Sequence, residues 1–302
     1  MRNINWQKIL FVNPSKITHI ARGLFFDIFG PCTVEDGDWD KNPFPIESSI
    51  IYQSLYNMFV EGMDWEQTTL YSYMIERVQK GIPQWGCSTI DEVKYKRKQE
   101  IITLYNDLKH HLYVQTQAGL KGQWLNDEIT VAIDRNGQFL FANNGTHRLF
   151  IAKILGLKKV PVMVYKRHAE WEKFRNSVFD MCDVFWNGET YQQLPHPDFD
   201  EIPTMWTDTR YDKIKKHFGE NNRTALDIGS LFGNICYNFE QDGFDATAVE
   251  NDTNYLRVMQ KLRDAYNKFN IFPHSIFDLP QRNFDIIVAF NIFHHFLKKE
   301  EL

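Results

Sequence analysis

The chain of 302 residues has room for about two domains of ~150 residues each. Hydrophobic residues make up 43% and charged residues 24%, a balance that supplies a packed core and excludes wholesale disorder. With 34 Lys and Arg against 39 Asp and Glu the formal charge is −5, which speaks against a protein that coats nucleic acid or an acidic membrane.

The opening residues, MRNINWQKILFV, hold no long apolar run and no cleavage pattern, so no secretory leader is expected. Nowhere does the apolar run of about 18 residues appear that a membrane span requires. Cys32, Cys87, Cys182 and Cys236 lie far apart without C-x-x-C spacing and read as unbridged thiols of a reducing compartment. The expectation is a cytoplasmic protein with no membrane contact and no metal centre.

Gly37-Asp38-Trp39-Asp40 sets two carboxylates beside an indole, either a cation site or a polar turn anchored by Trp39. Residues 48–62 carry apolar side chains at helical spacing, with Ser48 or Ser49 as cap, and 68–81 repeat the pattern and stop at Gly81. A third, longer helix is expected over 89–115 with Thr89 as N-cap. Its charge run from Lys94 to Lys98 reads as a solvated face rather than a nucleic-acid footprint. Trp65 with Glu66, and Trp85, read as core contributors rather than stacking platforms. His110 and His111 are adjacent, face different sides of a helix, and cannot chelate one metal together.

Residues 128–143, EITVAIDRNGQFLFAN, alternate as strand, Arg-Asn-Gly turn and strand. The corner Asn143-Asn144-Gly145-Thr146-His147-Arg148 then opens a helix, and VPVMVYK follows as another strand. Such a corner suits an anion: Gly145 turns without a Cβ clash, the first helical N–H groups point outward, and Arg148 offers a fork of donors. The alternative is a plain capped helix, with Asn144 or Thr146 as the cap.

The run from Ile129 through this strand resembles the core of the ParB/sulfiredoxin superfamily, in which a Gly-x-His-Arg loop opens a helix; VNPSKI at 12–17 resembles its opening strand and turn. The resemblance implies an α+β domain with helical elaboration that binds nucleotide phosphates at Asn144, Gly145, Thr146, His147 and Arg148. ATP, ADP or CTP with magnesium would be the ligand, and His147 a candidate catalytic group. Sulfiredoxins carry their reactive cysteine where Thr146 stands, so sulfur reduction is not implied. Serine-phosphorylating members have an aspartate where Asn144 stands, and an amide cannot serve as a base.

The proline-bearing segment Tyr191–Thr204 marks the expected boundary. It leaves residues 1–190 as a first domain, 191–220 as a linker and 221–302 as a segment with a βαβ rhythm. Thr224–Ile228 is a short apolar strand, Gly229-Ser230-Leu231-Phe232-Gly233 a glycine turn, and a helix runs on to Gly243. A second strand over 246–252 carries Glu250, another helix covers 255–270, and strands follow at 270–280 and 284–290. Gly229 suits close approach of the main chain to a ligand, Gly233 close packing of the helix on the strand, and Glu250 acceptance of two ribose hydroxyls.

Leu226-Asp227-Ile228-Gly229, with Gly233 beyond it, resembles the first motif of the class I S-adenosylmethionine-dependent methyltransferases, and FDIIVAFNIFHHF resembles their fourth strand. The resemblance implies a partial Rossmann-like doubly wound sheet that binds S-adenosylmethionine through Asp227, Gly229, Gly233, Glu250, Asp278 and Asn291. An NAD site would instead call for a middle glycine where Ser230 and Leu231 stand. His294 is a candidate base; the alternative for His294 and His295 is a buried, satisfied pair. The pattern ends after the fourth strand, where the family's sheet continues, so the chain reads as a fragment, a degenerate domain, or one whose apolar edge is covered by a partner or the first domain. The whole is therefore expected to be α/β, and methyltransferase-related on a small molecule or glycan intermediate. The alternatives are a nucleotide-dependent phosphotransferase or nucleotidase at Asn144–Arg148, or a non-enzymatic nucleotide sensor.

Overall fold

A computed structural model describes residues 9–22, 32–112, 128–142, 144–206, 209–221 and 223–293. The chain divides into two units, Met1–Ala169 and Glu170–Leu302. Among the described residues no helix is long and apolar enough to cross a membrane, and the four cysteines, all buried, form no disulfide.

The first unit is built on strands β5 (Ile129–Ile133) and β7 (Val160–His168). β5 and the first five residues of β7 are mainly apolar, β7 closes in Tyr165-Lys166-Arg167-His168, and both strands are buried on both faces, as suits parallel neighbours at the centre of a sheet. Strands β1 (Ile9–Val12), β2 (His19–Ile20), β3 (Thr33–Glu35), β4 (Phe44–Pro45) and β6 (Phe139–Phe141) extend the sheet in the order β1-β7-β5-β6-β2-β4, with β3 also on β7. The expected hairpin is present: β5 and β6 pair antiparallel, and Asp134 Oδ1 closes the turn by accepting from Asn136 N and Gln138 N, both at 2.8 Å. Asn13 caps the 3-10 turn Pro14–Lys16 that follows β1.

Helix α1 (Ile50–Phe59) starts at Ser49, whose Oγ accepts from Ile51 N at 3.3 Å, and α2 (Thr69–Gln79) starts at Thr68, whose Oγ1 accepts from Tyr71 N at 3.2 Å. The single long helix expected over 89–115 is instead a π-helical stretch, Glu92–Arg97, running into α3 (Lys98–His111), which ends where Leu112 takes a left-handed φ of 54°. Residues 113–115 lie outside the described residues. At its start Thr89 Oγ1 accepts from Glu92 N, and Glu92 Oε2 accepts from Thr89 N, a reciprocal capping box. Helix α4 (Thr146–Ile154) lies between β6 and β7 in the chain. Trp65 is fully buried and donates its indole N–H to Val93 O at 3.0 Å, as expected of a core residue. Trp85 is 41% exposed and sits at the surface, which corrects the expectation for that residue.

In the second unit α5 (Ala169–Trp186) and α6 (Arg210–Lys215) precede β8 (Thr224–Ile228), α7 (Asn234–Gln241), β9 (Asp245–Val249), α8 (Thr253–Tyr266), β10 (Asn270–Phe272) and β11 (Ile286–Val288). The four strands are all parallel in the order β10-β9-β8-β11. That is the doubly wound arrangement: the chain winds one way through β9 and β10, then crosses to the other side of β8. Ala225, Ala246 and Ala248 let Phe239, Met259 and Phe269 close on the sheet. The unit also takes in the turn-rich segment Tyr191–Thr204. Thr190 bridges to Thr204, and Arg175 of α5 lies buried among Glu172, Asp198 and Glu201.

Candidate functional site

In the first unit, the corner at 144–148 follows the end of β6 and lies against the start of β5, where Thr130 N donates to Asn144 O at 3.2 Å. Gly145 has φ 78°, and a Cβ there would come within 2.9 Å of Ile129 Cα, so the close approach to β5 demands glycine. Asn144 is turned into the protein: its N–H donates to Thr130 Oγ1 at 3.1 Å and its Nδ2 to Glu128 O at 2.8 Å. His147 meets Arg97, whose Nη2 lies 2.9 Å from Nε2. Arginine has donors only, so the imidazole nitrogen accepts and the ring is neutral. Burial and the Arg97 charge together push its pKa down to about 3. Trp85 completes the cluster, meeting His147 edge to face with ring centroids 5.7 Å apart and lying 5.6 Å from the Arg97 guanidinium. Arg97, which spacing assigns to a solvated charge run, thus belongs to this cluster.

Asp38 and Asp40 face Arg135 of the hairpin turn rather than an open cation position. Asp40 takes Arg135 Nε at 2.8 Å, Nη2 at 2.6 Å and the backbone N–H at 3.0 Å. Burial raises the Asp40 pKa, the Arg135 donors lower it more, and the net direction is down. Trp39 packs by its ring against buried His168, so the polar-turn reading describes this segment. His111 pairs with Asp107 at 3.1 Å. Among the described residues no group of three or more His, Cys, Asp and Glu is placed to hold a metal ion.

The second unit holds a cavity of about 530 Å³, a size that suits a small organic ligand. It lies at the carboxyl ends of β8 and β9 and the end of β11, the crevice at the topological switch point where doubly wound sheets take ligands. Asp227, Gly229, Glu250 and Asn291 all line it. Asp227 is buried and its Oδ2 accepts from Ser230 Oγ at 2.6 Å. Glu250 Oε2 accepts from Leu231 N at 3.0 Å, and Oε1 accepts from Asn251 N and Asp252 N at 2.8 and 2.9 Å. Three N–H donors fix the carboxylate at the rim of the glycine turn. Of its four lone-pair directions three are thereby taken, which leaves one on Oε2 for a ligand hydroxyl.

Two expected residues stand elsewhere. Gly233 caps α7 with φ 83°, and a Cβ there would lie 2.5 Å from Phe269 Cζ; its smallness serves packing on the segment before β10. Asp278 is exposed in the 3-10 turn Ile276–Asp278 and does not line the cavity. His294 and His295 lie outside the described residues. Sequence reading missed Trp186, Tyr191, Gln192, Arg210, Tyr255 and Phe290, which also line the cavity. Gln192 Nε2 donates to Ser230 O at 2.9 Å, which ties the turn-rich segment to the glycine turn. Trp186 stacks on Tyr255 at 6.0 Å, and Asn291 Nδ2 donates to the Tyr191 hydroxyl at 2.6 Å. The only local signal is the aromatic content of residues 186–191, in a stretch that reads as domain end and linker.

A methyltransferase-domain family matches residues 226–302. No curated protein matches the chain closely enough to count as a relative. Two crystal structures of WbdD are similar to part of it, one a co-crystal with the kinase inhibitor LY294002 and the other at 2.2 Å. Each shows 18% identity and a TM-score of 0.33 over 39% of this chain, and the match spans 30% of the WbdD chain.

Proposed function

We propose that the second unit binds S-adenosylmethionine and transfers its methyl group to a small molecule or glycan intermediate. The observation that carries this is the cavity itself. One crevice at the switch point of a parallel sheet gathers the Asp227 carboxylate, the Gly229 backbone, on which Ile292 packs, and the Glu250 carboxylate, together with aromatic rings. The donor set fits the cofactor. Carboxylates accept a ribose diol or an ammonium, aromatic faces attract a sulfonium, and the acidic wall disfavours a polyphosphate.

The bound cofactor would supply an electrophilic methyl group on sulfur. This chain's part is to hold and align: Glu250 on the ribose, Gly229 against the ligand backbone, Trp186 and Tyr255 excluding water from one side. Alignment of an acceptor lone pair provides much of what such a transfer needs, so no base is assigned. The choice of a small-molecule or glycan acceptor rests on the net negative charge, which disfavours nucleic acid. Titration calorimetry with S-adenosylmethionine should show 1:1 binding that Asp227→Ala and Glu250→Ala each abolish. Absence of heat with the wild-type chain would remove the proposal.

A second reading concerns the first unit, whose ParB/sulfiredoxin-like assignment belongs to the proposal. The N-cap of α4 is glycine, which brings no capping side chain to the first turn, and that favours an anion such as a nucleotide phosphate at Asn144–Arg148. Phosphate release from ATP, ADP or CTP with magnesium that vanishes in Arg148→Ala would support a phosphotransferase or nucleotidase here. Binding at both units without any product would indicate a sensor.

A further inference from the structure

In the first unit, the turn Gln84–Cys87 carries a tryptophan where the backbone calls for another residue. Gln84 and Cys87 exchange both backbone hydrogen bonds at 2.9 Å, and Trp85 and Gly86 between them have φ of 44° and 74°. Two left-handed central residues mark a type I′ turn, which favours Asn, Asp or Gly at its first centre. An indole is held there at a conformational cost, and strain of this kind gathers at functional positions. Lys96 Nζ donates to Gly86 O at 3.1 Å and ties the turn to the π-helical stretch. The strained ring is not tucked into the core: Trp85 stays 41% exposed while touching His147 and the Arg97 guanidinium. Arg97 pairs with Glu100 at 2.9 Å and with His147, yet its buried Nε meets no acceptor among the described residues.

Resting on the second reading above, an anion at Asn144–Arg148, we propose that Trp85 is the stacking platform for the base of a nucleotide whose phosphates lie at that corner. Trp85 touches His147, the second residue of α4. An exposed indole and the N–H groups of the first turn of α4 therefore lie side by side, within the span of one nucleotide. The two ends of such a ligand need different surfaces. Phosphates are drawn by cations and helical N–H groups, and Arg97 and Arg148 stand in this region. A base needs an apolar face, and the indole supplies it. Every base has a π-face, so stacking here separates nucleotides from bare phosphate rather than one base from another. Trp85 is assigned as a binding and specificity residue, with no part in any transfer step.

The test uses the full 302-residue chain with magnesium and two probes, ATP and inorganic tripolyphosphate, which differ in the nucleoside. Calorimetry should show Trp85→Ala weakening ATP by ~5- to 100-fold, the range for one base stacked on an aromatic ring. Tripolyphosphate should change less than about twofold, which also shows that the corner is intact. Trp85→Phe should keep most of the ATP affinity. Trp85→Asn, which suits the left-handed turn, should unfold at higher urea than Trp85→Ala while losing ATP to the same extent. Arg148→Ala should weaken both probes. Equal weakening of both probes by Trp85→Ala, or no weakening of ATP, overturns the assignment of Trp85 while leaving the anion reading intact. Failure of both probes on the wild-type chain, or binding that Arg148→Ala leaves unchanged, removes the anion reading and this inference with it.

Discussion

Glu250 and Leu231 are joined across the crevice: the carboxylate at the tip of β9 accepts the backbone N–H of a leucine held at a left-handed φ of 55°. A leucine in that conformation costs about 1–2 kcal/mol relative to the right-handed one, so the glycine turn keeps its shape partly because Glu250 holds it. A ligand-binding residue and a loop-shaping residue are here the same side chain.

The coupling between these two residues is measurable. Glu250→Ala should destabilise the second unit by about 0.5–1.5 kcal/mol, the range for a typical intramolecular hydrogen bond, since the Leu231 donor is partly buried and the other two are exposed to water. In a Leu231→Gly background, where the left-handed turn needs no restraint, the same substitution should cost less. Urea denaturation of the four variants in a double-mutant cycle checks this; additive effects would mean that Glu250 does not shape the turn.

Gly145→Ala should be among the most damaging single substitutions in the first unit. It places a Cβ 2.9 Å from the backbone Cα of Ile129 at φ 78°, and a backbone atom cannot swing aside. Gly156→Ala, at φ 65° with nothing within 4 Å, should carry only the conformational cost of about 1–2 kcal/mol. A difference of at least ~1 kcal/mol between them, attributable to overpacking, is expected in urea midpoints.

His147 should make the first unit acid-sensitive. Its folded pKa of about 3 lies below its ordinary 6.5, so the unfolded chain takes up the proton first as pH falls. The stability gained by keeping the ring neutral is complete above pH 6.5 and is lost progressively between 6.5 and about 3. The slope is at most about 1.4 kcal/mol per pH unit for one proton. His147→Gln should remove that part of the slope, and the ring proton resonances of His147 should stay unchanged from pH 8 to pH 5.

Arg135→Ala should cost about 3–5 kcal/mol, because it strands a buried carboxylate. The Asp40 side chain is 3% exposed and takes three Arg135 donors. With its folded pKa lowered, Asp40 contributes stability above its ordinary carboxylate value, lost as pH falls through the folded one. Thermal melts should show the acid-side decline of wild type weakened in Arg135→Ala, since the lowering comes from the arginine.

Elements whose pattern is local are legible in the residues alone. Thr89 with Glu92, Ser49, and the Asp134-Arg135-Asn136-Gly137 turn each satisfy neighbouring backbone groups, so a few consecutive residues suffice to read them. Asp227 and Glu250 are legible for a related reason: both sit at strand tips one βαβ unit apart, and strand, turn and helix follow in fixed rhythm. Spacing misplaces Arg97 because its partners, His147 and Trp85, lie on other elements, and the sequence shows only a charge run. Asp278 illustrates the converse, a residue in the expected order that the chain turns outward.

By itself the sequence determined which segments form the parallel sheet and where its glycine turn falls, because hydrophobic periodicity and backbone freedom are properties of neighbouring residues. It also determined, through composition, that the chain buries a core and carries net negative charge. Only the tertiary structure decided what else lines the cavity beside Asp227 and Glu250. Tyr191 and Gln192 reach the cavity where the turn-rich segment folds back onto the glycine turn through the bond from Gln192 to Ser230, and Trp186 and Arg210 join them from α5 and α6. Contacts between residues so far apart depend on closing the intervening loops, and no local pattern records where those loops close.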